Sequence, residues 1–316
     1  MKKKYLFVCV MLLVILFGSM GLTTLYVSNT EDAQEEADVT IVTSFYPIYI
    51  ACLNITDGVY GVRLENLSEP QTGCLHDFQL TPEDLKLLST ADVFVINGGG
   101  IESFMEEVAA SDPQLAIITA CEGLELLEED EDEQDSDLSG DEEASHEHET
   151  NAHAWMSVAY YREMIAGIAE GLAAEDPAHS EEYYSNAQEY DAKLAILQEE
   201  QEELIQEVSV PVIIFHSAYA YVAWDYHLDV VGLLDLDEER QVSAGEVADV
   251  LDIIEEQQVT YILAEELYGS SMGETIQKEA DVTVLYLNPL TRGDYDKDSY
   301  LDAMRENIAI LKGAGL

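Results

Sequence analysis

Short β-branched and apolar runs alternate along this chain with stretches of helical periodicity. Val39-Thr40-Ile41-Val42-Thr43-Ser44-Phe45 reads as a buried strand closed by the turn at Tyr46-Pro47, with a helix through about Thr56. A strand near Val62 to Leu67 follows. Thr81-Pro82-Glu83 then offers a cap residue and a proline at the first helical position. Ala91 to Asn97 and Leu115 to Thr119 are the next strands, the former stopped by Gly98-Gly99-Gly100. After an amphipathic helix over Met156 to Ala174, a glycine-free stretch from His179 to Val208 predicts one helix about 45 Å long. The alternation restarts with strands at Val210 to Phe215, Thr260 to Ala264 and Val282 to Leu287. Helices are expected at Ala244 to Gln257, Gly273 to Ala280 and Tyr300 to Lys312.

Strands alternating with helices imply parallel sheets, so the predicted class is α/β: two α/β lobes joined by one long linker helix. The expected division is an N-terminal lobe over 39–178, the linker helix over 179–208 and a C-terminal lobe over 209–316. Residues 31–38 form a polar linker. Ahead of it, Lys2-Lys3-Lys4 precedes an apolar run to Val27, so residues 1–30 read as a signal peptide or a retained N-terminal membrane anchor. Everything after them is then expected outside the cytoplasm, where a disulfide is chemically permissible.

Charge narrows the partners. The 316 residues hold 65 Asp and Glu against 13 Lys and Arg, a formal net charge of −52. So negative a chain repels phosphate backbones, which excludes nucleic acid and favours cations or a basic partner. Part of the excess is local: 15 of the 28 residues from Glu122 to Glu149 are acidic, and none is basic. This acidic loop carries His146 and His148, and reads either as a solvated insertion or as an accessory metal-collecting arm beside a cation site.

Three of the seven histidines fall where α/β folds gather ligands. His76 follows the second strand, His153 opens the helix after the acidic loop, and His216 ends the first strand of the second lobe. Each alone reads as a solvated or packing residue. Together they form a candidate site for a borderline metal such as zinc, since neutral imidazole suits zinc better than magnesium or calcium.

The residues around them resemble a known family. His76-Asp77-Phe78-Gln79-Leu80-Thr81-Pro82, Ala91-Asp92, Asn97-Gly98 and Glu102-Ser103-Phe104 are similar to signature elements of zinc/manganese-type (cluster A-I) solute-binding proteins of metal ABC transporters. So are Asn151-Ala152-His153-Ala154-Trp155-Met156-Ser157, Phe215-His216-Ser217-Ala218-Tyr219 and Leu285-Tyr286-Leu287-Asn288-Pro289-Leu290. The likeness runs in order from about Val39 to Leu316. It implies that His76, His153 and His216 ligate a metal in the cleft between the lobes, with zinc preferred and manganese the alternative. The family's fourth ligand is an aspartate where this chain has Asn288, so a water or a nearby carboxylate such as Glu265 or Glu266 is the alternative fourth ligand. Asn151, Ala152 and Ser217 also depart from the family pattern, at positions expected to orient the imidazoles.

The implied function is an extracytoplasmic receptor, expected to be monomeric, that captures zinc and delivers it to a membrane permease. A surface adhesin or metal buffer, and a three-histidine zinc hydrolase, are the alternatives; the sequence has no His-Glu-x-x-His run for the latter. Of the cysteines after the N-terminal segment, Cys52 and Cys74 lie near the ends of the first two strands and are expected to form a disulfide. That pairing leaves Cys121 as a buried thiol, while Cys74 is also a minor candidate zinc ligand.

Overall fold

The computed structural model describes residues 38–68, 78–128, 150–205, 209–236 and 242–316. His76 and Cys74, the arm histidines His146 and His148, and the apolar N-terminal segment lie outside the described residues. No helix among the described residues is long and apolar enough to cross a membrane.

The elements run β1 (Val39–Thr43), α1 (Tyr46–Ile55), β2 (Val62–Asn66), α2 (Pro82–Leu88), β3 (Val93–Ile96), α3 (Met105–Ser111) and β4 (Ala116–Thr119). A 3-10 turn (Ala154–Met156) leads to α4 (Val158–Glu175) and α5 (Ser180–Glu202). Then come β5 (Pro211–Ile214), α6 (Tyr219–Asp225), β6 (Asp229–Leu233), α7 (Ala244–Gln257), β7 (Tyr261–Ala264), α8 (Glu266–Glu279), β8 (Thr283–Tyr286) and α9 (Ser299–Ala314).

Each lobe holds one four-stranded sheet, ordered β2-β1-β3-β4 and β6-β5-β7-β8, and every pairing is parallel. The strand order reverses between β1 and β3, and equivalently between β5 and β7. That reversal opens a crevice at the carboxyl ends of those strands, where open α/β sheets bind their ligands. The central strands β1 and β3 are buried almost throughout. The edge strand β2 alternates half-buried and exposed positions, as an edge with one wet face should.

One apolar core runs through both lobes. It joins Ile41, Phe94 and Trp155 to Val212, Ile214 and Leu285, while Ile213, Phe215 and Ile262 face a second, smaller core under α7 and α8. The split of Val212 and Ile214 from Ile213 and Phe215 is the period-2 alternation of a strand covered on both faces.

The long helix is shorter than its composition predicted. α5 spans 23 residues, about 34 Å at 1.5 Å per residue. It is preceded by a separate 3-10 turn at Pro177–His179, where Asp176 accepts from His179 Nδ1–H at 2.6 Å and from the Tyr183 hydroxyl at 2.7 Å. Nor is it an isolated rod: it pairs with α4 along its length and packs on α1 and α9.

Cys52 is a thiol with no solvent exposure, and its expected disulfide partner Cys74 lies outside the described residues. Cys52 sits inside α1, in the electrostatic neighbourhood of Tyr161 on α4 and Tyr183 on α5, so it belongs to the seam between α1 and the long helices. Burial pushes its thiol well above the ordinary range. Cys121 is buried as expected; its Sγ–H donates to the Asn97 carbonyl at 2.8 Å, and burial pushes it up to about 12.

Candidate metal centre

The site is assembled from loops at the strand ends. His216 comes two residues after β5, and Glu265 directly follows β7, so the C-terminal lobe presents both at its reversal point. His153 comes from the segment that leads into α4. That segment is laid across the turn after β3: the Asn97 amide donates to the Ala152 carbonyl at 2.9 Å, and the Thr150 hydroxyl donates to the Gly99 carbonyl at 3.3 Å.

The glycine run makes that approach possible. Gly98, Gly99 and Gly100 all have positive φ, and a Cβ on Gly99 would lie 3.1 Å from the Ala152 Cα. The Glu102 carboxylate pins the turn by accepting from the backbone N–H groups of Asn97 (2.7 Å) and Gly98 (3.0 Å). Burial raises the Glu102 carboxyl against the lowering effect of these donors.

His153 and His216 meet with ring centroids 4.9 Å apart and planes at 89°. His153 has no solvent exposure and lies 5.0 Å, centroid to centroid, from the buried Trp155. Its tautomer is set by Asn151. The Asn151 Oδ1 accepts from the His153 backbone N–H at 3.1 Å and from its Nδ1–H at 2.8 Å. Because the Asn151 Nδ2 donates to the Ser217 carbonyl at 2.8 Å, the amide orientation is defined and Oδ1 is an acceptor only. The neutral His153 ring therefore carries its lone pair on Nε2, the arrangement a metal-binding histidine needs. His216 differs: the Ala218 backbone N–H donates to its Nδ1 at 3.0 Å, which puts the proton of the neutral ring on Nε2.

Asn151 also joins the two histidine loops, and Tyr221 on α6 extends the brace. The Tyr221 hydroxyl donates to the Asn151 carbonyl at 2.7 Å and accepts from the Leu127 backbone N–H at 3.1 Å. Trp155 Nε1–H donates to the Pro289 carbonyl at 3.0 Å, fastening the His153 segment to the loop after β8. Behind it, Asp225 accepts from Ser157, which caps α4, and from Gln201 near the end of α5. One carboxylate thus ties both long helices to the C-terminal lobe.

The cleft around the two imidazoles is also lined by Glu265, Tyr268, Thr291 and Arg292. Asn288 does not line it. Its Oδ1 accepts from the Leu290 backbone N–H at 2.8 Å, closing a turn in which Leu290 has φ 59°, and its backbone is paired with Asn307 on α9. Glu266 begins α8 as an exposed residue. The structure thus brings His153, His216 and Glu265 to one cleft and leaves Asn288 outside. Among the described residues no three His, Cys, Asp or Glu side chains form a metal cage. Arg292 was not singled out in the sequence; the one signal there was its place four residues after Asn288, on the loop where a fourth ligand was expected.

Comparison with known proteins places the fold in a known family. The profile of the family described as zinc-uptake complex component A, periplasmic (ZnuA), matches residues 41–314. The chain is 28% identical to the high-affinity zinc uptake system protein ZnuA of Bacillus subtilis, over 86% of each chain. It is 27% identical to the zinc-binding lipoprotein AdcA of Streptococcus pneumoniae, over 90% of this chain but 58% of AdcA. Among solved structures, it superposes on the solute-binding protein FpvC of Pseudomonas aeruginosa in complex with Mn2+ with a TM-score of 0.75, at 24% identity, covering 87% of this chain and 98% of that one. Zn(II)-bound AdcA of Streptococcus pneumoniae gives 0.70 at 25% identity, covering 87% of this chain and 57% of AdcA. The fold, the order of its motifs and the family match lead to one assignment: this chain belongs to the ZnuA family of periplasmic zinc-uptake components.

Proposed function

We propose that the chain is the extracytoplasmic receptor of an ABC importer, a binding protein and not an enzyme, which captures zinc between its lobes and passes it to a membrane permease. The observation that carries this reading is the crossed pair His153 and His216, with Asn151 Oδ1 holding the His153 Nδ1–H so that Nε2 bears the lone pair. Imidazole nitrogens select a borderline cation, so zinc is the cargo and manganese the alternative. The relatives named for zinc uptake and zinc binding support that choice.

His76 supplies the third imidazole in this reading, and Glu265 replaces the family's aspartate as the fourth donor. Ligation through His216 Nε2 requires the other neutral tautomer, with the proton on Nδ1, so zinc uptake costs the ring its hydrogen bond from the Ala218 backbone N–H without a net release of protons. The acidic arm gathers cations beside the cleft, and the N-terminal segment exports the protein or holds it at the outer face of the membrane as a monomer. Growth of a deletion strain in zinc-depleted medium tests the role. Failure to grow, restored by added zinc but not manganese, is the expected outcome; unimpaired growth and zinc accumulation would refute it.

A further inference from the structure

The cation cleft contains a cation of the protein's own. Only 13 of 316 residues are Lys or Arg, yet the Arg292 guanidinium lines the cleft with His153 and His216, where it opposes a divalent cargo. Its Nη2 lies 3.6 Å from Glu265 Oε1, and the two side chains are only 20% and 19% exposed. Screening between groups so sheltered is weak. Tyr268 holds the guanidinium as well: Nη2 donates to its hydroxyl at 3.1 Å, and the group's carbon lies 5.3 Å from the centre of its ring. The next residues are fixed to the other lobe, since the Tyr46 hydroxyl donates to the Asp294 carbonyl at 3.1 Å and Tyr295 packs on Tyr49 with centroids 4.1 Å apart. Arg292 is therefore placed, and its place is against the one carboxylate that lines the cleft among the described residues.

We propose that Arg292 is an internal competitor for the cargo: it holds Glu265 when the cleft has no metal, and zinc must take that carboxylate from it. This rests on the zinc-receptor reading and adds a positioning residue that sets affinity. A carboxylate already neutralised by a guanidinium attracts a divalent ion less than a free one, and the retained positive charge repels the ion further. Arg292 thus keeps capture reversible, as delivery to a permease requires.

The test is competitive zinc titration against a chromophoric chelator for the full chain and four variants: Arg292→Gln, Arg292→Lys, Glu265→Gln and the double Glu265→Gln/Arg292→Gln. Arg292→Gln is expected to bind zinc about tenfold more tightly. Arg292→Lys, which keeps the charge, should stay near the parent. In the Glu265→Gln background, removing Arg292 should change affinity by less than about threefold, because the carboxylate it competes for is gone. A guanidinium that merely supported the cleft would give weaker binding on replacement, and Arg292→Gln binding equal to or weaker than the parent overturns the proposal. Equal tightening in both backgrounds also overturns it, since Arg292 would then act by repulsion alone. Loss of zinc binding already in the parent chain would overturn the receptor reading as well, which separates the two failures.

Discussion

Asn151 Oδ1 accepts two hydrogen bonds from a single residue, His153, one from its backbone N–H and one from its ring Nδ1–H. The side chain that fixes the backbone turn therefore also fixes the imidazole tautomer. The same amide donates to the Ser217 carbonyl beside His216, so it registers one imidazole against the other.

Replacing Asn151 with Leu should remove the Nδ1 partner and weaken zinc binding by about 10–100-fold, the range for groups that orient metal-bound histidines. Asn151→Asp keeps the acceptor for Nδ1 but loses the donor to the Ser217 carbonyl, so its affinity should fall between those of the parent and the leucine variant. Competitive titration of the two variants checks the sign of each effect.

Asn288 is engaged in its own turn, accepting from the Leu290 backbone N–H. Asn288→Asp should therefore leave zinc affinity within about twofold, since its oxygen stays with that donor. Asn288→Ala should instead lower unfolding free energy by about 1 kcal/mol. Titration and urea denaturation separate the two readouts, and a large gain in affinity for the aspartate variant would show that the turn opens to ligate metal.

Gly98 has φ 87°, and a Cβ there would lie 2.3 Å from Thr119 Cγ2. Gly98→Ala should destabilise the protein by about 2 kcal/mol or more, combining left-handed backbone with overpacking. Thermal unfolding should show it, with zinc affinity falling as well because the His153 segment rests on this turn.

Asp176 provides the acid-dependent prediction. Burial raises its carboxyl, but hydrogen bonds from His179 and Tyr183 outweigh that and leave it below the ordinary carboxylate range. A group whose native pKa is depressed stabilises the fold above its unfolded value and loses that contribution as pH falls through the native one. Asp176→Asn should therefore be less stable than the parent at neutral pH, with the difference shrinking toward pH 3. Urea midpoints across that range measure it.

Glu128 and Thr150 form an antiparallel bridge, so the two ends of the acidic arm are held side by side. A chain in which a two-residue turn such as Asn-Gly replaces residues 129–149 can close there without disturbing the His153 segment. Its zinc stoichiometry should remain one, and uptake should slow only at low zinc; unaltered uptake at every concentration would show that the arm plays no part.

Much of this was legible in the sequence, for identifiable reasons. The central strands β1, β3, β5 and β7 announced themselves as apolar runs because both faces of each sheet are covered. His153 and His216, which meet in one cleft, were singled out because strand ends are where this class of fold puts ligands. The elements not anticipated are those without a clean period. α6 (Tyr219–Asp225) is apolar on most sides, β6 (Asp229–Leu233) is a short edge strand, and α3 (Met105–Ser111) has no side-chain cap. α8 starts at Glu266, seven residues before its expected start at Gly273. Its glycines are there for close packing: a Cβ on Gly269 would lie 3.0 Å from Ala264 Cβ, and one on Gly273 would lie 2.6 Å from the Tyr286 hydroxyl. The partnership of Arg292 with Glu265 joins loops 27 residues apart, and no local pattern encodes it.

The central claim is that one zinc ion binds between the lobes through His153 and His216. Elemental analysis combined with competitive titration tests it most directly, on the parent chain and on the His153→Ala/His216→Ala double variant. The account predicts one tightly held zinc per parent chain and an affinity reduced by at least about a thousandfold in the folded double variant. Equal zinc content and affinity in the two proteins would contradict it.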